Sequence, residues 1–233
     1  VIEIKTLATG SSGNCYWVSD GSTQILLECG ISYKEIQKAL DFNTMGISGV
    51  LVTHEHKDHS KAVKEVSNRG FDVYMSPGTK EALGLNHHRI KTVESRSQFK
   101  IGTWTILPFD VEHDVSEPYG FLLANQAGEK LLFATDTFYV RYRFNGLTHI
   151  MIECNYSMDI LNENIRTGRA HKGMKRRLVK SHFSLENVKD FLLANDLSKV
   201  QEIHLLHLSD TNSDEELFKK EIQELTGKLV FVP

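Results

Sequence analysis

Three runs of buried-type residues in this chain end in side chains that an apolar core would not select. Gly49–Thr53 runs into His54, Leu131–Thr135 into Asp136, and Ile203–Leu206 into His207. His113 stands just beyond a fourth apolar segment, Ile106–Val111. A histidine at one strand end is ordinarily a hydrogen-bonded structural residue. Repetition of the pattern points instead to sheets whose ends share one edge lined by imidazole and carboxylate groups. That requirement favours layered sheets with open ends.

The rest of the chain agrees. Val1–Leu7, Cys15–Val18, Gln24–Leu27, Val73–Met75, Trp104–Val111, Tyr119–Ala124, Lys130–Thr135 and Thr148–Glu153 read as strands, and Asp20-Gly21 is a hairpin turn signal. Tyr33–Leu40, Lys61–Val66, a segment opened by Pro77-Gly78, Leu185–Leu193 and Glu215–Leu225 read as helices. No fixed-period repeat and no linker divides the chain, so we expect one α/β domain spanning residues 1–233, with helices outside packed sheets. Apolar residues at 40% and charged residues at 24%, with four prolines, exclude wholesale disorder. The formal net charge of −3 neither requires nor excludes a nucleic-acid partner. No apolar run approaches the ~18 residues of a membrane span, and no signal-peptide pattern opens the sequence. The three cysteines are odd in number and form no C-x-x-C pair, which makes the cytoplasm the expected compartment.

The most concentrated signal is Thr53-His54-Glu55-His56-Lys57-Asp58-His59. Side chains alternate along an extended segment, so His54 and His56 point the same way and can reach one metal. Asp58 and His59 follow where the chain turns toward a helix, and are placed for a second. Imidazole nitrogens combined with carboxylate oxygens suit zinc and neighbouring first-row ions. Three histidines and an aspartate within six residues, directly after a buried strand, are hard to explain by packing.

His54-x-His56-x-Asp58-His59, with His113, Asp136 and His207 following in order, resembles the metallo-β-lactamase superfamily. Ala8-Thr9-Gly10-Ser11-Ser12-Gly13-Asn14-Cys15, His113-Asp114, Pro118-Tyr119-Gly120, Glu153-Cys154-Asn155-Tyr156, His182-Phe183-Ser184-Leu185-Glu186-Asn187 and His207-Leu208-Ser209 resemble its YycJ-like branch, which is related to RNase Z. The resemblance implies an αββα sandwich of two mixed β-sheets with helices on the outer faces. It implies two divalent metal ions, zinc or manganese. His54, His56 and His113 hold the first, Asp58, His59 and His207 the second, and Asp136 bridges. It also implies phosphodiester hydrolysis by a metal-bridging hydroxide, with Asp58 and His182 as catalytic residues. The branch acts as a 5′ exonuclease on DNA, with a repair role suggested. Two positions depart from the branch. Glu28 stands where an aspartate is usual, in Leu27-Glu28-Cys29-Gly30, and Ser181 replaces the glycine ahead of His182.

Three further features bear on substrate. Arg166–Lys180 carries seven cations and no acidic residue. A charge run is commonly a solvated face, but this one is one-signed and stands just ahead of His182. Arg169, Lys172, Arg176 and Arg177 are therefore expected to contact a phosphate backbone. Ser184 is expected to cap the Leu185–Leu193 helix, aiming its N–H groups and His182 at one anion. His182 is read as proton donor to the leaving oxygen or as a phosphate clamp. Ser11, Ser12 and Asn14, in a polar glycine turn, are expected at the substrate edge. The cysteines and His87, His88, His149, His171 and His204 match no ligand motif and are expected to be structural or solvated. The partner implied is nucleic acid, DNA ahead of RNA, with no membrane. The alternative is a cyclic-nucleotide or other small-molecule phosphodiesterase, and a third possibility is a non-catalytic binding protein on the same fold. Oligomeric state is not legible.

Overall fold

The computed structural model describes all of residues 1–233. The chain forms two compact units: unit 1 comprises residues 1–110 and 115–129, and unit 2 comprises residues 111–114 and 130–233.

Unit 1 opens with strands β1 (Glu3–Ala8), β2 (Cys15–Ser19) and β3 (Gln24–Leu27), joined antiparallel with Ile4 opposite Val18 and Val18 opposite Ile25. Asp20 makes the hairpin turn, its Oδ1 accepting from the backbone N–H groups of Ser22 and Thr23. Strands β4 (Ile47–Leu51), β5 (Val73–Met75) and β6 (Ile90–Thr92) then add in parallel, giving a mixed sheet of order β1-β2-β3-β4-β5-β6. Between these strands run α1 (Tyr33–Ala39), α2 (Lys57–Ser60), α3 (Val63–Asn68) and α4 (Pro77–Leu83). Helix α1 starts in a reciprocal cap between Ser32 and Glu35, and its Ile36 is fully buried. One cluster gathers Leu26, Ile36, Val50, Val52, Val63, Val66, Val73 and Met75. Each such side chain contributes roughly 1.5–3 kcal/mol by leaving water. Strands β7 (Phe99–Ile101), β8 (Trp104–Asp110) and β9 (Tyr119–Ala124) complete the unit, paired antiparallel.

Unit 2 is built on four parallel strands, β10 (Lys130–Ala134), β11 (His149–Glu153), β12 (Glu202–Leu206) and β13 (Leu229–Phe231). All five residues of β11 are buried, which explains why these strands read as continuous apolar runs rather than alternating ones. Helices α5 (Met158–Arg166), α6 (Lys172–Ser181), α7 (Leu185–Leu193) and α8 (Glu215–Thr226) follow or separate them. Ser184 caps α7 as expected, accepting from Asn187 N–H, and the helix buries Leu185, Val188, Phe191 and Leu192.

The differences from the sequence reading have local causes. The helix expected over 61–66 is two short pieces, broken at Lys61–Ala62, and the first begins inside the histidine motif. Strands β6, β7 and β13, of three residues each, are not among the expected strands; β6 and β7 each carry a lysine at the centre that interrupts the apolar run. Helix α6 is polar on nearly every side, so no apolar stripe announces it. All three cysteines are buried and free. No helix is long and apolar enough to cross a membrane.

Candidate metal centre

In unit 1, β4 stops at Leu51 and the backbone stays extended through Val52, whose N–H donates to Tyr74 O. His54 follows two residues on. Its Nδ1 lies 2.8 Å from Thr53 Oγ1, and its Nε2 lies 3.2 Å from Nδ1 of His56. Two nitrogens bound to one tetrahedral zinc at 2.0–2.1 Å stand about 3.3 Å apart, so this spacing fits the two-ligand edge expected of the motif. His59 is fully buried, with its ring centroid 4.2 Å from that of His54 and its Nε2 3.5 Å from Asp58 Oδ2.

The turn is held mainly through backbone. Asp58 O accepts from the backbone N–H of Asn14 at 2.7 Å and from Asn14 Nδ2 at 3.3 Å, and Cys29 N–H donates to His59 O. Ser60 Oγ closes the turn onto Glu55 O and His56 O. Gly30 makes a close approach: a Cβ there would sit 1.7 Å from Asp58 O. Glu28, with φ of 65°, turns its carboxylate back to Thr53 N–H at 3.3 Å and to His59 Nδ1 at 3.6 Å. Burial raises its pKa, and His59 and Thr53 only partly offset that. The glutamate in the unusual position thus braces the histidine motif at both ends.

In unit 2, the donors come from separated stretches. Asp136 and His207 each follow a strand in left-handed backbone, at φ of 46° and 54°. Such a conformation costs on the order of 1–3 kcal/mol in a non-glycine residue and turns the side chain off the strand line. His113 Nδ1 donates to Ser181 O at 3.0 Å, which fixes the tautomer and leaves Nε2 as the ligand atom, 3.7 Å from Asp136 Oδ2. His207 Nδ1 lies 2.8 Å from Asp136 Oδ1 and 3.0 Å from Glu153 Oε1. His182 Nδ1 lies 2.6 Å from the same Glu153 Oε1. Ligand atoms of Asp136, Glu153, His182 and His207 all fall within 4.8 Å of one another. The His182 ring stands 5.6 Å from both the His113 and His207 rings.

Glu153 organises this group. It is fully buried at the end of β11, and its Oε2 accepts from the N–H groups of Thr137 and Phe183. Burial pushes its pKa up, but the His182 charge and the hydrogen bonds from His182 and His207 outweigh this and hold it below the usual range. Burial alone lowers the proton affinity of His182 and His207. The carboxylates reverse that, raising His182 and taking His207 to about 10. The pocket of unit 2 therefore favours positive charge, and its nitrogen and oxygen donors fit a divalent cation. Sequence alone assigns Glu153 no role. The signal for it was the same strand-end pattern: Thr148–Glu153 is an apolar run stopping at a carboxylate.

The expected substrate residues divide. Ser11 and Ser12 are exposed on their turn. Asn14 is fully buried, its carboxamide engaged with Gly10, Tyr16 and Asp58, so it braces the histidine turn instead of meeting solvent. Arg169, Lys172, Arg176 and Arg177 are all exposed on the outer surface. Lys172, Arg176 and Arg177 lie on α6, which His171 caps and which ends at His182. Arg166 is held by Glu163, and Lys175 by Asn162. Of the remaining histidines, His149 is buried in β11 and His204 bonds Glu202, so neither is a surface group.

Known proteins place these arrangements in a class. The Beta-lactamase superfamily domain matches residues 23–188, and the chain belongs to that superfamily. Its fold is the expected αββα sandwich of two mixed β-sheets. The metallo-β-lactamase fold protein YhfI from Bacillus subtilis superposes over 100% of this chain and 95% of its own, with a TM-score of 0.74 at 14% identity. The class is that of metal-dependent hydrolases. Within it, the chain is 28% identical to the exodeoxyribonuclease YycJ of Bacillus anthracis, over 96% of this chain and 89% of that protein. It is also 28% identical to the exodeoxyribonuclease WalJ of Streptococcus pneumoniae, over 91% and 83%.

Proposed function

We propose that this chain is a nuclease that hydrolyses phosphodiester bonds with two divalent metals, working from a DNA 5′ end. The observation that carries this reading is the pairing of buried Glu153 with half-buried His182 beside Asp136 and His207, at the end of a helix whose solvent face is cationic. The similarity to two exodeoxyribonucleases over nearly the whole chain supports DNA as the substrate.

On this reading His54, His56 and His113 would hold one ion and Asp58, His59 and His207 the other, with Asp136 available as a further ligand. Zinc and manganese both suit seven imidazole and carboxylate donors. When bound, such ions make hydroxide available near neutral pH and offset charge on the phosphate oxygens. The protein's own groups do the rest. Glu153 engages Nδ1 of His182 and orients the ring, leaving Nε2 to protonate the leaving oxygen. Burial lowers the proton affinity of that imidazole, and Glu153 and Asp136 more than offset this and raise it. Arg169, Lys172, Arg176 and Arg177 hold the nucleic-acid backbone, and Ser11 and Ser12 border the substrate. A cytoplasmic role in DNA repair is consistent with this chemistry and with three free buried cysteines.

The test supplies Mn²⁺ or Zn²⁺ and compares 5′-labelled duplex DNA, single-stranded DNA, RNA and cyclic mononucleotides. Release of nucleotides from the 5′ end of DNA is expected. Turnover of cyclic nucleotides alone would replace the nuclease with a small-molecule phosphodiesterase.

A further inference from the structure

Beyond Asp136 and Thr137, unit 2 carries a feature that the proposed chemistry does not use. Phe138-Tyr139-Val140-Arg141-Tyr142-Arg143-Phe144 runs without helix or strand and alternates aromatic with basic side chains. Val140 and Phe144 are buried, while Tyr139, Arg141 and Arg143 face solvent. The segment is tied at both ends. Thr137 Oγ1 bonds Tyr139 and Glu112, Asn187 Nδ2 reaches Phe138 O, and Phe144 N–H donates to Asn195 Oδ1 at 2.7 Å. Between it and α7 lies a cavity of about 410 Å³, walled by Phe138, Tyr139 and Tyr142 together with Phe183, Phe191 and Ala194.

We propose that this cavity is a nucleobase subsite, taking the base of the nucleotide next to the scissile phosphate. The proposal rests on the nuclease reading and names where that substrate is gripped. Four observations support it. The volume is within the range of small-molecule sites and accommodates a heterocyclic base. Its aromatic walls supply stacking, which tolerates any base and so suits an enzyme that must digest any sequence. Asn187 and Asp190 at the rim offer a donor and an acceptor for a base edge. Arg141 pairs with Glu112, whereas Arg143 has no acidic partner and is available to an adjacent phosphate. Chain connectivity then sets the location. Phe183 directly follows His182 and gives its N–H to Glu153, and Phe138 stands two residues after Asp136. A base in the cavity brings its flanking phosphate to the proton donor.

Two measurements test the proposal independently of each other. The first is calorimetric titration of the protein with adenosine and with thymidine, which requires no turnover. Millimolar or tighter binding of both is expected. Tyr139→Ala, an exposed position that leaves the core alone, should weaken it by roughly 5- to 150-fold, the scale of one stacked base. Ala194→Trp, which fills the cavity, should abolish it. The second compares DNA cleavage with and without an abasic nucleotide at the 5′ end: wild type should prefer the intact base, and Tyr139→Ala should lose the preference. Absence of nucleoside binding, or binding indifferent to both substitutions, overturns the subsite even if DNA is cleaved. Nucleoside binding without DNA cleavage keeps the subsite and overturns the nuclease.

Discussion

The two units build their donor groups in opposite ways. Unit 1 places His54, His56, Asp58 and His59 within six residues on one turn, and braces that turn from outside through Glu28, Gly30 and Asn14. Unit 2 draws His113, Asp136, His182 and His207 from four separate stretches and ties three of them together through Asp136 and Glu153. The first set is held chiefly by backbone, the second by buried charge. A side-chain truncation in the first should therefore remove chemistry and spare the fold, whereas truncation at the hub of the second should cost both.

The largest effect tests the first half of that contrast. On the two-metal reading Asp58 would ligate an ion supplying several kcal/mol, so Asp58→Ala should lower hydrolysis by about 10³-fold or more. The thermal midpoint should scarcely move, because Asn14 grips the Asp58 carbonyl and not its carboxylate. An unfolded variant under conditions where wild type is folded would make the motif structural. Next, Glu153→Gln should reduce kcat by about 10–100-fold with the fold kept, by misorienting His182 and His207. Glu153→Ala should in addition lower unfolding free energy in urea by about 2–5 kcal/mol, because it leaves the buried Thr137 and Phe183 N–H groups without the oxygen that the glutamine amide still offers. Equal stability for the two variants would contradict the account of unit 2.

A methyl group probes the bracing in unit 1. Gly30→Ala drives a Cβ into the Asp58 carbonyl and should cost about 1–3 kcal/mol, together with metal affinity measured by titration. Smaller again is the effect of neutralising Arg169, Lys172, Arg176 and Arg177 with glutamine. DNA affinity should fall for all sequences alike, and the log–log salt slope should flatten by roughly 0.7–0.9 for each phosphate no longer neutralised. An unchanged slope would mean a merely solvated face. The smallest effect concerns a unit 2 histidine away from the donors. Burial lowers the pKa of His204, only partly offset by Glu202. Its neutral form is thus favoured on folding, and its contribution to stability is complete above the ordinary histidine range and lost as pH falls through the lowered value. His204→Phe should flatten stability between about pH 7 and pH 5.

How much of this was readable follows the same contrast. The six-residue histidine motif needs no tertiary structure to be seen, because neighbours along an extended chain are also neighbours in space. The apolar runs ending at Asp136 and His207 were likewise visible, as was the Ser184 cap, because each is a pattern within ten residues. Helix α6 escaped because its sequence carries no buried stripe, and β6 and β7 because a lysine at the centre of each three-residue strand interrupts the apolar run. Asn14 looked like a surface turn residue, and burial made it a brace.

By itself, then, the sequence determined the donor types, their order, and the strand ends that carry them. Tertiary structure alone decided which carboxylate would organise unit 2. Glu153 reads as one strand-end acid among several until β10, β11 and β12 lie side by side and bring Thr137, Phe183, His182 and His207 to its two oxygens. It also decided that Glu28 reaches Thr53 and His59, through a left-handed backbone turn that no residue pattern announces. The reason is physical: a buried carboxylate is stable only where enough donors converge on it, and convergence from distant segments is a property of the packed chain.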